Sequence, residues 1–203
     1  MTEKKTKPHG REELVAALIE AAAELFSKHG VEAVTVRDIA SHVGVNHGLI
    51  HRHFGSKENL RIKTQEYLAE KVRDEIGEPE NFVDAIWRAE QAIKNQPMFW
   101  KVMARTFLDD KFEGDIQSSF PLISKMVEFV RDAQDEGLIS IDMDPRYIVA
   151  AISAYGLGMR VFEKYIIQGT GLEDVPVEEV LSIIKSHFIS VFFPDAADIR
   201  SED

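Results

Sequence analysis

The amino-acid sequence predicts an all-α protein. Apolar residues recur at spacings of three and four, as on one face of a helix, from about residue 11 to about residue 193. No segment alternates polar and apolar residues in the manner of a half-buried strand. Glycine or proline stands at the breaks in the helical pattern, and these residues commonly punctuate helices. The chain is therefore expected to be a series of helices joined by short connections.

The first two predicted helices have recognisable ends. The first runs from about Arg11 to His29, and Gly30 follows it as a C-terminal cap. Thr35 precedes the second helix and is followed by Asp38 three residues later, which resembles a capping box with the shorter acid. Gly44 comes after this helix, where a positive φ is expected because the chain must turn sharply.

Two further helices complete the N-terminal region. Asn46 is a good N-cap for a short third helix that extends to about His53, and Gly55 breaks this helix. Ser56 caps a fourth helix, which reaches about Glu75. The remaining predicted helices span about residues 80–95, 97–109, 117–136, 145–168 and 176–193.

The second and third helices have the spacing of a helix-turn-helix. Such a motif needs a small residue in its first helix, a sharp turn, and an apolar residue that docks the second helix. Ala40, Gly44 and Ile50 supply these three features in that order. The pattern predicts that the third helix reads the major groove of double-stranded DNA.

The candidate DNA contacts follow from the predicted orientation of the third helix. If Ile50 and Phe54 face inward, its outer face presents mostly hydrogen-bond donors to base edges and phosphates. Arg52 could pair with guanine or with phosphate, while Arg37 and Lys57 lie in the first turns of the flanking helices and are expected to contact phosphate. The predicted DNA-binding residues are Arg37, Asn46, His47, Gly48, Leu49, His51, Arg52, His53 and Lys57.

The distribution of charge agrees with a DNA-facing N-terminal part. The net charge is −11, but residues 1–60 hold eight basic and eight acidic residues, so the excess negative charge lies in residues 61–203. Six of the seven histidines also lie within residues 1–60. The N-terminal part can therefore approach phosphate, whereas the rest should point away from it. The alternative is that the asymmetry is an accident in an acidic protein.

Other kinds of site are poorly supported. His47 and His51 are four residues apart on a helix and could chelate a metal, but no acidic residue lies beside them and the chain has no cysteine. The sequence contains no evident nucleophile–base pair, phosphate loop or metal triad, so neither a catalytic site nor a cofactor is predicted. A helical enzyme remains a remote alternative. The N-terminus lacks the apolar run of a secretory signal, and a cytoplasmic location is expected.

The N-terminal region resembles the DNA-binding region of the TetR family of transcriptional repressors. The resemblance covers roughly residues 12–62, and the rest of the chain agrees only in length and helix pattern. Where the family usually has a tyrosine that often touches phosphate, this chain has His51. The matching residues are Phe26 to Gly30, Thr35 to Ala40, Gly44, Val45, Gly48 and His53 to Leu60.

The resemblance implies a function and a domain organisation. It implies a homodimer that binds an inverted-repeat operator, acts as a repressor, and is released by a small, mostly apolar effector. The same fold could instead activate transcription or respond to a protein partner. The expected domains are a flexible arm (1–10), a three-helix helix-turn-helix domain (11–56), a larger helical ligand-binding and dimerisation domain (57–193) and a tail (194–203).

The C-terminal part offers candidates for effector and dimer contacts. Aromatic and methionine residues recur there at helical spacing and could line a pocket or simply fill the core. Arg105, Arg160 or Lys101 could bind an anionic effector, and Asp109 or Asp110 could bind a cationic one. Small residues near position 154 would let a partner helix approach closely, or would only cover the subunit's own core. The predicted effector contacts are Trp87, Trp100, Met103, Phe107, Phe129, Tyr155, Met159 and Phe162, and the predicted dimer contacts are Ala151, Ala154, Gly158, Ile184, His187, Phe188 and Val191.

Overall fold

The computed structural model describes residues 10–108, 121–137 and 142–192, and these residues form helices without strands. This confirms the all-α prediction. The predicted arm up to residue 9, the predicted tail and the first residues of the predicted helix 117–136 lie outside the described residues. The helices of the described residues are α1 Arg11–His29, α2 Val36–Val43, α3 Gly48–Phe54, α4 Lys57–Ile76, α5 Phe82–Asn95, α6 Pro97–Leu108, α7 Pro121–Asp135, α8 Pro145–Thr170 and α9 Val177–Phe192.

Most helix ends agree with the sequence, and two differ for identifiable reasons. α3 begins at Gly48 rather than at Asn46, because Asn46 turns back to cap the first turn with its own side chain. α8 continues to Thr170, beyond its predicted end at residue 168. The prediction was wrong because Gly169 remains helical, and the chain leaves the helix only at Gly171, where φ is 69°.

Side-chain hydrogen bonds cap several of the helices. Thr35 and Asp38 form a capping box at α2: the Asp38 amide donates to Thr35 Oγ1 at 3.2 Å, and the Thr35 amide donates to Asp38 Oδ2 at 2.8 Å. The Thr35 hydroxyl also donates to this carboxylate, and that bond lowers the pKa of Asp38. Ser56 caps α4. Asp144 caps α8, and hydrogen bonds from the Arg146 side chain lower the pKa of Asp144 to about 2.

The turn between α2 and α3 depends on Gly44. Its backbone is left-handed, with φ 76° and ψ 33°. The Gly44 amide donates to the Ser41 carbonyl at 3.1 Å, and the Val45 amide donates to the Ala40 carbonyl at 2.9 Å. These two bonds form a Schellman motif, which satisfies carbonyls that the end of a helix would otherwise leave unpaired. The turn thus ends α2 and sends the chain into α3.

The helix-turn-helix belongs to the first of two compact units. This unit lies within residues 1–77 and 88–115 and contains α1 to α4, the second part of α5, and α6. α1 packs against α2, α4 and α6, and α4 packs against α3. The first unit therefore extends past residue 56, the predicted end of the helix-turn-helix domain. The assignment of DNA binding to residues 11–56, and of effector binding and dimerisation to residues 57–193, stays a prediction. The largest fully buried apolar side chains of the unit are Leu18, Phe26, Ile39, Ile50, Leu60, Leu68, Phe99 and Val102.

The second unit lies within residues 78–87 and 116–203. It contains the beginning of α5 together with α7, α8 and α9, and the main packing within it is between α7 and α8. Within the described part of the chain, no helix has the length and hydropathy needed to cross a membrane. The core of the second unit is formed by Phe82, Ala85, Met126, Val130, Ile148 and Val149.

Replacement of Gly44 tests the turn. A Cβ atom at this position would meet no heavy atom within 4 Å, so the cost of Gly44→Ala should come from backbone strain alone. We expect Gly44→Ala to lower the free energy of unfolding by about 1 to 2 kcal/mol, and Gly44→Asn to cost less, because asparagine tolerates the left-handed region. Urea unfolding at one fixed protein concentration measures both. Equal stability of the alanine variant and the wild type would contradict the strained turn.

Candidate nucleic-acid interface

α3 has one buried side and one exposed side. Ile50 is fully buried and Phe54 is half-buried, so both face the first unit as predicted. Asn46, His47 and Arg52 are exposed. The other predicted contacts on this helix divide in the same way: Gly48 and His51 are exposed, whereas Leu49 and His53 are half-buried. The helix is thus held from behind and presents polar groups to solvent.

The start of α3 is fixed by Asn46. Its Oδ1 accepts a hydrogen bond from the Gly48 amide at 2.8 Å, and its carbonyl accepts one from the Leu49 amide at 3.0 Å. A Cβ atom on Gly48 would lie 3.1 Å from Asn46 Oδ1, so a side chain there would press on the cap. Because Oδ1 accepts this bond, the NH2 group of the exposed Asn46 side chain is left as a donor for an outside group. Gly48 therefore supports the cap in addition to its predicted role in close approach.

Several cationic or titratable side chains of this surface have no competing partner. Among the described residues, no hydrogen bond or ion pair occupies Arg37, His47 or Arg52, and all three are exposed. The His51 ring is fixed differently: its Nδ1 lies 3.2 Å from the Gly55 carbonyl. Since a carbonyl only accepts, Nδ1 must carry the proton, and Nε2 is left for an outside group.

The first turn of α4 brings one more cation to this region. Lys57 is half-buried, and its Nζ lies 3.5 Å from the Glu32 carbonyl, which is the outer limit of a hydrogen bond. The neighbouring acidic residue, Glu58, accepts hydrogen bonds from the guanidinium of Arg61. Asp38 on α2 is similarly engaged by Thr35. The carboxylates that directly follow Arg37 and Lys57 in the sequence are therefore already hydrogen-bonded within the protein.

Two side chains have structural partners that the sequence did not indicate. The His42 ring lies 3.2 Å from the Glu24 carboxylate and connects α2 to α1. Arg105, considered above as a partner for an anionic effector, donates from Nη1 to the Phe26 carbonyl at 3.3 Å. It therefore caps the C-terminal end of α1, where a positive charge also complements the helix dipole.

The predicted effector contacts are divided between the two units. Trp100, Met103 and Phe107 are on α6 in the first unit, whereas the other five belong to the second. Met103 is fully buried, as a core residue would be, while Trp87 and Phe162 are more than half exposed. The Trp100 indole nitrogen is buried without a hydrogen-bond partner in the described part of the chain. Among the other predicted effector contacts, Phe129 and Tyr155 are half-buried and Met159 is buried.

The predicted dimer contacts lie on a larger exposed apolar stripe of α8. Ala154 is exposed, and Ala151 and Gly158 are half-buried. Sequence reasoning missed the large side chains of the same stripe, which together with Ala151 and Ala154 follow one another at spacings of three and four and could have been found from that period. These residues are Tyr147, Leu157, Val161 and Tyr165, with exposed fractions of 69%, 41%, 41% and 78%.

The predicted dimer residues of α9 are only partly described. Ile184 is half-buried and His187 is exposed, whereas the side chains of Phe188 and Val191 lie outside the described residues. Ile183, next to Ile184, is 59% exposed. This helix therefore also carries exposed apolar surface.

No group of three or more histidine or acidic side chains in the described ranges could hold a metal ion. An open cleft of about 310 Å³ lies at the C-terminal end of α8 and contains Glu163, Gln168 and Glu173. It shares no residue with the predicted effector contacts. The arrangement with the clearest chemical meaning is thus the exposed polar face of α3 and its flanking cations.

This arrangement defines a helix-turn-helix transcriptional regulator, and comparison with known proteins identifies its family. The family profile described as "Bacterial regulatory proteins, tetR family" matches residues 18–63. An HTH-type transcriptional repressor of Mycobacterium tuberculosis is 33% identical over 179 residues, which cover 88% of this chain and 89% of the relative. The chain belongs to the TetR family of transcriptional regulators, and repressors are found among its relatives.

Solved structures share the fold along most of the chain. A protein of Saccharomonospora viridis, assigned as a transcriptional regulator and solved in complex with choline, superposes with a TM-score of 0.67 and 19% identity, covering 89% of this chain and 97% of its own. A gamma-butyrolactone receptor superposes with a TM-score of 0.65 and 19% identity, covering 90% and 89% of the two chains. At this identity the likeness establishes the fold alone.

Replacement of Arg52 tests the α3 surface. If Arg52 binds guanine or phosphate, Arg52→Ala should weaken binding to the cognate DNA duplex by about 1 to 3 kcal/mol, as measured by fluorescence anisotropy at fixed salt. Arg131→Ala is the matched control, because Arg131 is an exposed arginine on α7. Similar losses in the two variants would show that net charge, rather than a contact from α3, accounts for the effect.

Proposed function

We propose that the protein is a homodimeric repressor that binds an inverted-repeat operator and leaves it when a small effector binds. The observation that carries this proposal is the exposed polar face of α3, supported from behind by the buried Ile50. Each subunit would place α3 in one major groove. Arg37 and Lys57 would bind phosphates on either side, and Asn46, His47 and Arg52 would face the bases.

Two subunits are needed because the recognition helix, α3, is short. α3 has seven residues and can meet only a few base pairs, so one copy would discriminate poorly among DNA sequences. A two-fold symmetric pair would read two half-sites about 34 to 36 Å apart or at a multiple of that spacing. The stripe of α8 defined above supports this pairing, because Leu157, Val161 and Tyr165 are large apolar side chains exposed to water in the single subunit.

The same surface suits close helix packing. Ala154 and Gly158 lie among the large side chains of the stripe and would let a partner helix approach. Ile183 on α9 extends the apolar area. A second copy of the chain, with the same stripe, is the occupant that also satisfies the symmetry of an inverted repeat.

The effector would be mostly apolar. Trp87 and Phe162, both in the second unit, are exposed and offer apolar surface that such a molecule would cover. The choline complex and the gamma-butyrolactone receptor among the similar structures support regulation by a small molecule. Release would require the effector to prefer the non-binding state by about 1.4 kcal/mol for each tenfold loss of DNA affinity.

Selection from random DNA tests the function. Purified protein incubated with a random-sequence duplex library should enrich a palindrome with two half-sites one helical turn apart or at a multiple of it. Placed upstream of a reporter, the recovered sequence should lower expression when the protein is present. Failure to enrich any sequence would contradict specific DNA recognition, and increased reporter expression would identify an activator instead.

A charged substitution in the stripe tests the dimer. Val161→Glu should convert the dimer to a monomer at micromolar concentration, because an interface would have to bury the new carboxylate without a partner. Ile123→Glu, on α7, is the matched control, since Ile123 is 42% exposed and Val161 is 41% exposed. Analytical ultracentrifugation gives the masses. A dimer that survives Val161→Glu but not Ile123→Glu would place the interface elsewhere.

A further inference from the structure

A chain of hydrogen-bonded polar side chains, buried except for Glu58 at its outer end, runs along α4 and crosses to α6. Arg61 donates from Nε to Glu58 Oε1 at 2.7 Å and from Nη1 to Gln65 Oε1 at 2.8 Å. Gln65 Nε2 donates to Thr106 Oγ1 at 2.6 Å, and the Thr106 hydroxyl donates to the Val102 carbonyl at 2.9 Å. All of these residues belong to the first unit, and the chain joins two of its helices.

Burial makes every bond in this chain necessary. Arg61 is 1% exposed and Thr106 is 2% exposed, and Gln65 is also buried. A guanidinium withdrawn from water is costly unless its N–H groups are hydrogen-bonded. Because Arg61 can only donate, it fixes the Gln65 amide with its oxygen toward α4, which leaves the amide nitrogen for Thr106. The hydroxyl oxygen of Thr106 is thereby the acceptor that keeps the Gln65 amide in this orientation.

The other end of this hydrogen-bonded chain is Glu58, which is adjacent in sequence to the predicted phosphate contact Lys57. Glu58 stands in the first turn of α4, directly after Lys57 and the capping residue Ser56. The bonds from Arg61 hold the Glu58 carboxylate against α4 and offset its negative charge. A released carboxylate at this place would repel DNA phosphate and compete for Lys57. The arrangement thus affects how strongly the start of α4 can attract a phosphate.

From this geometry we infer that Thr106 is a positioning residue for DNA binding: through Gln65 and Arg61 it holds the first turn of α4 in the arrangement in which Lys57 binds phosphate. Thr106 itself lies on α6 and touches no nucleic acid. The inference rests on the proposed function, since it concerns the same phosphate contact.

The protein offers a matched pair of threonine substitutions to test this inference. Thr64 on α4 is fully buried, and its hydroxyl donates to the Leu60 carbonyl four residues earlier, just as Thr106 donates to Val102. Thr106→Val and Thr64→Val therefore remove the same hydroxyl from the same kind of site. Only the first substitution also removes the acceptor of Gln65. The operator recovered by selection from random DNA serves as the probe.

The expected result is a difference in DNA affinity between the two variants. Thr106→Val should weaken operator binding about tenfold, which corresponds to about 1.4 kcal/mol, whereas Thr64→Val should stay within about twofold of the wild type. Thr106→Ser, which keeps the hydroxyl, should restore binding. If Thr106→Val does not fold, as judged by circular dichroism, Thr106→Ala takes its place. Equal affinities for the Thr106 and Thr64 variants would overturn the inference.

Two readouts separate positioning from a general loss of stability. The dependence of affinity on salt reports the number of phosphate contacts, so its slope for Thr106→Val should fall toward the slope of Lys57→Ala. Thr106→Val should also have little further effect in the Lys57→Ala background, because both changes act on one contact. An unchanged slope, or losses that simply add, would overturn the inference. A wild type that binds no DNA would instead overturn the proposed function, and the inference with it.

Discussion

The DNA-binding surface depends on the burial of one side of a helix that is too short to be stable alone. α3 has only seven residues, and isolated helices of that length do not persist in water. Its structure must therefore come from its surroundings: Ile50 is buried in the first unit, Asn46 caps its first turn, and the left-handed Gly44 delivers the chain to it. The burial of Ile50, the cap at Asn46 and the turn at Gly44 therefore fix the orientation of the helix whose polar side chains face solvent.

The same region shows how a protein of net charge −11 can offer a surface to DNA. Acidic residues are present beside the predicted phosphate contacts, but their carboxylates are occupied: Thr35 binds Asp38, and Arg61 binds Glu58. The exposed arginines, Arg37 and Arg52, have no such partner among the described residues. These hydrogen bonds hold the two carboxylates in place without removing their charge, and the exposed arginines supply the positive charge that would attract phosphate.

The features that could be predicted from the sequence are those that depend on residues close together along it. The helix bounds, the capping box at Thr35 and the turn at Gly44 follow from spacing and from residue types that strongly prefer one conformation. The sequence did not predict the partners of Gln65 or Arg105, because those partners are a side chain and a carbonyl on other helices, 41 and 79 residues away. An arginine three residues after a glutamate resembles a solvated helical pair, and only the folded structure shows that Arg61 is 1% exposed.

The choice of a polar chain between α4 and α6 has a physical consequence that apolar packing would not have. Apolar side chains attract over area and tolerate small shifts of one helix along another, so they stabilise without fixing a register. Hydrogen bonds are directional, and in a buried site an unpaired group is costly, so Gln65 and Thr106 favour one relative position of their helices. If Lys57 binds phosphate as proposed, the first turn of α4 must be placed accurately. Accuracy of that kind is better obtained from a satisfied polar chain than from further apolar area.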